Sequence, residues 1–199
     1  MDLACLDLEG VLVPEIWIRV AETTRIEELR LTTRDIADYD ELMRHRLHVL
    51  DAHGIRLSQI QEVIAAMGPM PGAAGFLDWL RARFQVVILS DTFYEFAMPL
   101  MAQLGHPTLL CHRLQVRDDR VVGYTLRQPD SKRAAVRAFH HLNYRVVATG
   151  DSYNDVAMLA EADAGILFRP PANVVAEFPR FPVVTDYDGL REAFSTALA

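Results

Sequence analysis

Leu3-Ala4-Cys5-Leu6-Asp7-Leu8-Glu9-Gly10 decides how the rest of the chain is read. Four apolar residues in a row are too few for a helix. With acids and a glycine directly behind them, they predict a buried strand that ends in a charged loop. The figure recurs: Val86-Val87-Ile88-Leu89 runs into Ser90-Asp91-Thr92, and Val146-Val147-Ala148 leads to Gly150-Asp151-Ser152-Tyr153-Asn154-Asp155. Thr108-Leu109-Leu110-Cys111 and Ala164-Gly165-Ile166-Leu167-Phe168 also read as strands. Amphipathic helical patterns fall between most of them, near residues 73–83, 93–104, 131–142 and 153–162. This alternation predicts an α/β fold, a Rossmann-like three-layer core with a parallel sheet between helices. Alternating segments on either side of Arg117-Asp118-Asp119-Arg120 add a β-hairpin, from Leu114 to Val116 and from Val121 to Leu126.

One stretch breaks the rhythm. From Pro14 to Met67 only helical patterns occur, roughly four in succession, and Gly68-Pro69-Met70-Pro71-Gly72 punctuates the return to the α/β pattern. The expected organisation is a core of residues 1–13 and 70–199, with residues 14–69 forming a small helical cap inserted after the first strand.

Composition narrows the partners. The 199 residues carry a net charge of −7 and no basic tract, which argues against nucleic acid and anionic membranes as partners. No run approaches the ~18 apolar residues of a membrane span. The basic residues are 19 arginines and one lysine, Lys132, and Gln128-Pro129-Asp130-Ser131 before it lacks the glycines of a phosphate-binding P-loop. Cys5 and Cys111 sit in strand-like runs and read as buried free thiols. With an N-terminus that shows no signal-peptide pattern, they point to a cytoplasmic location.

In an open parallel sheet, ligands gather beyond the carboxyl ends of the strands. Asp7, Glu9, Asp91, Asp151, Asp155 and the Ser90 hydroxyl therefore converge on one edge. Such a cluster repels itself, and its oxygen-only donors suit Mg²⁺. Taken singly, Asp151, Ser152 and Asp155 equally suit the capping of a helix. Lys132, with Arg133 beside it, opens a helix whose free N–H groups already favour an anion. A solvated lysine offset by Asp130 is the plainer alternative. On the helical pattern around 38–50, Tyr39, Leu42, Met43 and Leu50 form an apolar face, and Arg46 falls on it. An arginine facing inward needs an anion, and a carboxylate is a natural bidentate partner. The pairs His45/His48 and His140/His141 lack a third ligand at suitable spacing and read as solvated faces.

Asp7-Leu8-Glu9-Gly10-Val11, Ser90, Lys132 and Gly150-Asp151-Ser152-Tyr153-Asn154-Asp155 together resemble the four motifs of the haloacid dehalogenase superfamily. A helical cap between the first two motifs is similar to its phosphoserine phosphatase branch. Glu9 and Val11 depart from the usual aspartate and threonine. With Leu12-Val13-Pro14-Glu15, Thr32-Thr33-Arg34-Asp35-Ile36 and Ser90-Asp91-Thr92-Phe93-Tyr94-Glu95-Phe96, they resemble bifunctional members that also transfer the phosphoryl group to homoserine.

The resemblance implies Asp7 as nucleophile, Glu9 as acid and base, and Mg²⁺ held by Asp7, Asp151 and the Glu9 carbonyl. It implies Ser90, Asp91 and Lys132 around the phosphate, Glu15, Arg46 and Asn154 on the amino-acid part of L-phosphoserine, and Asp155 in support. A homodimer is compatible with the sequence. A phosphatase for another small phosphomonoester is the nearest alternative. A phospho-accepting signalling receiver is the more distant one, although a receiver carries its lysine on the last strand and has no cap.

Overall fold

A computed structural model describes residues 1–32, 35–36 and 38–197. Its centre is a seven-stranded sheet: β1 (Asp2–Leu6), β2 (Gln85–Phe93), β3 (Thr108–Arg117), β4 (Arg120–Thr125), β5 (Arg145–Gly150), β6 (Ala164–Phe168) and β7 (Val183–Val184), in the order β4-β3-β2-β1-β5-β6-β7. All neighbours are parallel except the β3–β4 hairpin. The expected α/β class and sheet hold.

Alternation with period two buries both faces. Ala4, Leu6, Ile88, Val147, Ile166 and Phe168 point into one core, with Phe76, Leu77 and Leu80 of α4 (Ala73–Arg81), Phe96 and Leu100 of α5 (Tyr94–Gln103), and Leu190 and Phe194 of α9 (Tyr187–Thr196). Leu3, Cys5, Val87, Leu89, Val146, Ala148 and Leu167 point the other way. They meet Ala135 and Val136 of α6 (Ser131–His141), Met158 and Leu159 of α7 (Val156–Glu161), and Val174 of α8 (Ala172–Glu177). Three layers result.

Between β1 and α4 the described elements are all helical: α1 (Ile16–Thr24), a 3₁₀ turn at Glu27–Arg30, α2 (Tyr39–Ala52) and α3 (Leu57–Ala65). Three α-helices and one 3₁₀ turn thus stand where four helices were expected. Thr33 and Arg34, part of the quoted resemblance, lie outside the described residues. Ile16, Trp17, Val20, Ile60 and Ile64 join the α5 side of the core, so this segment shares its apolar interior with the sheet.

Other boundaries also shift. The two strand segments expected at 108–111 and 114–116 are one strand, β3, because the Leu114 N–H is held by Glu95 Oε2 (2.8 Å) while pairing passes from β2 to β4. The helix expected at 153–162 begins as a 3₁₀ turn, Tyr153–Asp155, and becomes α-helical only at Val156, since the Asp155 carboxylate folds back onto the chain before it.

The hairpin also fastens the helical segment. Asp118 and Asp119, both at positive φ, form its tight turn. Asp119 Oδ1 accepts the Ser58 N–H (3.0 Å), its Oδ2 accepts the Ser58 hydroxyl (2.6 Å), and its carbonyl accepts the Leu57 N–H (2.8 Å). A residue 61 positions away therefore caps α3 beside the local Gln59, whose Oε1 accepts the Arg56 N–H (2.9 Å). Asp119→Ala should lower the melting temperature and speed amide exchange at Ser58, and Asp119→Asn, which keeps an acceptor and tolerates positive φ, should restore most of both. Unchanged exchange at Ser58 in the alanine variant would show that the cap carries no weight.

Candidate active site

β2, β1 and β5 are neighbours, so their carboxyl ends bring Ser90, Asp7 and Asp151 together, and α6 delivers Lys132 to the same edge. Asp7 continues the ladder, its N–H donating to the Thr149 carbonyl (2.9 Å). The chain then turns sharply: Leu12 and Val13 donate back to the Leu8 carbonyl, and Gly10 sits at φ +76°. A Cβ at Gly10 would overlap the Asp151 carboxylate. Glycine is required there for its conformation and for the close approach of Asp151. Gly150 is constrained too, since a Cβ there would overlap the Asp155 side chain.

Lys132 is 3% exposed and lies among acids. Its Nζ is 2.7 Å from Asp155 Oδ1, 3.0 Å from Asp7 Oδ1 and 3.8 Å from Asp91 Oδ2. Burial alone would lower its pKa, but Asp155, Asp7 and Asp91 hold it well above the ordinary lysine value. The solvated-lysine alternative therefore fails. Arg133, expected beside it, turns away to Glu161 (Nε–Oε2 2.7 Å), so α6 brings one cation to this edge.

Asp155 Oδ2 accepts the N–H groups of Asp151 (2.9 Å) and Ser152 (3.2 Å) while Oδ1 receives Lys132. It caps the local turn and holds the lysine at once. Asp7 Oδ1 also accepts the Leu8 N–H (2.8 Å). Asp7, Asp151 and Asp155 place carboxylate oxygens within 4.8 Å of one another. Burial, then the Asp155 charge, raises Asp7 well above the carboxylate range. Burial, then the Asp155 and Glu15 charges, pushes Asp151 up to about 7. One ammonium does not neutralise this group. Oxygen-only donors and the space that Gly10 leaves beside Asp151 fit a small hard cation, with Asp7 and Asp151 as the side chains free to face it, because Asp155 is committed elsewhere.

Glu9 Oε2 accepts the Ile16 N–H at the start of α1 (2.8 Å). Burial, then the nearby Glu15 charge, pushes Glu9 up to about 8, against the pull of that N–H and of Arg46. Glu15 itself is exposed. Arg46 lies on the buried face of α2, as its spacing required. Its guanidinium stacks 4.5 Å from the Trp17 ring centroid, donates to the Leu31 carbonyl (3.0 Å) and leaves Nε buried without a partner among the described residues.

Two expectations change. The Asp91 carboxylate accepts from Ser131 Oγ (3.2 Å) and Asn154 Nδ2 (3.0 Å) and lies 3.5 Å from His112 Nε2. Burial would raise its pKa, yet Lys132, His112 and Asn154 hold it well below the usual range. An ionised carboxylate repels phosphate, so only the backbone of Asp91 suits the phosphate role expected of it. Asn154 spends Nδ2 on Asp91 and its Oδ1 on the Ser152 hydroxyl (2.6 Å), so it ties the fourth motif to the second and its polar ends are not turned to a substrate. Ser90 Oγ accepts the Thr92 N–H (3.2 Å). The pairing register of β2 with β3 shifts between Leu89 and Phe93, freeing the strand end where Ser90 sits.

Sequence reasoning missed His112, 3% exposed and bound at Nδ1 by the Arg127 N–H (3.1 Å). A lone histidine after an apolar run is the only signal it gave.

The family of haloacid dehalogenase-like hydrolases matches residues 10–160. Phosphoserine phosphatase ThrH of Pseudomonas aeruginosa is 65% identical over 198 residues, spanning 99% of this chain and 97% of that one. A phosphoserine phosphatase of Pseudomonas syringae pv. tomato is 64% identical over 99% of this chain and 84% of its own length. Among solved structures, an apo phosphoserine phosphatase aligns over 98% of both chains with a TM-score of 0.79 at 20% identity, which supports the fold.

The electrostatics predict how a cation stabilises the metal-free protein. The folded-state pKa of Asp151 is raised from 3.8 to about 7, so its contribution to stability is full below 3.8 and is lost as pH rises through about 7. Adding Mg²⁺ should therefore raise the melting temperature more at pH 8 than at pH 5. An equal or smaller rise at pH 8 contradicts this charge assignment.

Proposed function

The chain belongs to the haloacid dehalogenase-like hydrolase family, and we propose that it is a Mg²⁺-dependent L-phosphoserine phosphatase that works through an aspartyl-phosphate on Asp7 and can also pass the phosphoryl group to homoserine. The receiver alternative is set aside with this membership. The observation that carries the proposal is Asp7 itself: a buried carboxylate at a strand end, with one oxygen gripped by Lys132 and the Leu8 N–H. The two relatives above 60% identity, both phosphoserine phosphatases by name, support the substrate.

Each step falls to a residue already placed. The phosphate is received by the Ser90 hydroxyl, Lys132 and the backbone around Asp91, donors aimed where charge builds on the transferring oxygens. Asp7 Oδ1 is occupied, so attack comes from Oδ2. The bond from Oδ2 to phosphorus forms, the bond from phosphorus to the serine oxygen breaks, and that oxygen takes a proton from Glu9. A carboxyl with a pKa of about 8 holds this proton at neutral pH. Glu9, now ionised, takes a proton from water or from the homoserine hydroxyl as that oxygen attacks phosphorus, which releases Asp7 and restores Glu9. Asp7, Asp151 and the Glu9 carbonyl would hold Mg²⁺, which would supply positive charge between the anionic nucleophile and the phosphate.

Arg46 and Glu15 take the carboxylate and ammonium of phosphoserine. The unpartnered Arg46 Nε supports this, because a buried N–H lacking an acceptor is costly until an anion arrives. The helical segment that carries Arg46, residues 14–69, serves as a cap over the core site. Free, buried Cys5 and Cys111 suit a reducing cytoplasm.

The direct test incubates protein, Mg²⁺ and phosphoserine with and without homoserine and measures inorganic phosphate and phosphohomoserine. Phosphate is expected in both, and phosphohomoserine only with homoserine. Failure to hydrolyse phosphoserine overturns the substrate, and absence of phosphohomoserine overturns the transfer. Arg46→Ala should raise KM for phosphoserine about 10- to 100-fold through loss of charge-assisted hydrogen bonds. Lys132→Arg keeps the charge but cannot fit a planar fork among Asp7, Asp91 and Asp155, so turnover should fall by about 100-fold or more. Full activity in Lys132→Arg would mean that charge alone is needed there.

A further inference from the structure

Tyr39 is the first residue of α2, and its hydroxyl crosses to the sheet edge to donate to the Asp91 carbonyl (3.0 Å). Asp91 is fixed from its other side as well, with Ser131, Asn154 and His112 on its carboxylate. The Tyr39 ring packs edge-on against His112 (6.4 Å) and Tyr124 (6.0 Å), and Tyr124 donates to Asp40, the next residue of α2. The N-terminus of α2 is thereby anchored to the residue that follows Ser90.

Arg46 lies seven residues on, two turns along the same helix and on the same face, a rise of about 10 Å. Helical side chains lean back toward the N-terminus, which brings the guanidinium into the field of Glu9, Tyr39 and Glu15. One rigid helix therefore carries both the anchor on the phosphate end of the site and the cation at its far end. Tyr124 and Arg120 hold α2 to the β3–β4 hairpin through Asp40 and Asp51, whereas the Tyr39 hydroxyl bonds α2 directly to the residue after Ser90.

We propose that Tyr39 is a positioning residue that sets the spacing between the phosphate-binding end and Arg46, and so selects phosphate esters whose carboxylate lies at the distance found in phosphoserine. This rests on the reading of Arg46 as the carboxylate site. The Tyr39 hydroxyl is committed to the Asp91 carbonyl. Its effect passes through Asp91 on one side and α2 on the other, so substrates that span both ends feel it more than those that use the phosphate end alone. A short ester with no carboxylate uses the phosphate end alone.

The test compares phosphoserine with phenyl phosphate in wild type, Tyr39→Phe, Arg46→Ala and the double variant. Tyr39→Phe keeps the ring packing and removes one hydrogen bond. The ratio of kcat/KM for phosphoserine to that for phenyl phosphate should fall about three- to tenfold, mainly through KM for phosphoserine. In the Arg46→Ala background the same change should leave the ratio where Arg46→Ala put it, because the two residues act through one interaction. A Tyr39→Phe effect that is equal on both substrates, or as large without Arg46 as with it, overturns the inference. A ratio that collapses in Arg46→Ala but stands in Tyr39→Phe overturns it while leaving the phosphoserine reading intact. A ratio untouched by Arg46→Ala removes both.

Discussion

A single ammonium, Lys132 Nζ, is buried among Asp7, Asp155 and Asp91. Charges brought out of water are expensive unless paired and hydrogen-bonded, and this need explains much of the surrounding architecture. It requires α6 to begin at the sheet edge, Gly150 to leave room for Asp155, and Asp155 to spend its second oxygen on the turn that starts α7. A compact three-donor head meets three acids arriving from three strand ends, which the planar fork of arginine does not do. In a chain that uses arginine at 19 of its 20 basic positions, that geometry gives the exception a physical reason.

The same cluster is under-neutralised, and its chemistry follows from that. Burial and mutual repulsion push Asp7 and Asp151 upward, while Asp91 is held down by its own donors. The acids thus divide into two kinds, those already satisfied by protein groups and those left under-neutralised. Glu9 stands apart from both, held by the N-terminus of α1 and beside Glu15, where a proton is retained near neutral pH. Asp7, Lys132 and Glu9, to which the proposed reaction gives different roles, are separated by environment more than by residue type.

The core was legible because its strands are buried on both faces and its acids follow those strands directly, a pattern local enough to read from residues 3–10, 86–92 and 146–155. Arg46 was legible from helical spacing alone, and it is indeed buried on the apolar face of α2. What escaped depends on partners distant in sequence. Asp119 caps α3 across 61 positions, Tyr39 reaches Asp91 across 52, and His112 is recruited by Arg127 and Asp91 from different elements. No local period announces such bonds. The mutual bond of Asn154 and the Asp91 side chain escaped for the same reason, since it joins polar residues 63 positions apart.

In the proposed reaction Asp7 carries the phosphoryl group between donor and acceptor. Rapid acid quench during turnover of phosphoserine with Mg²⁺, followed by peptide mass analysis, reads this directly. A phosphoryl adduct is expected on the peptide that contains Asp7, forming before free phosphate and disappearing faster when homoserine is present. Turnover with no covalent adduct, or an adduct on a residue other than Asp7, would contradict it.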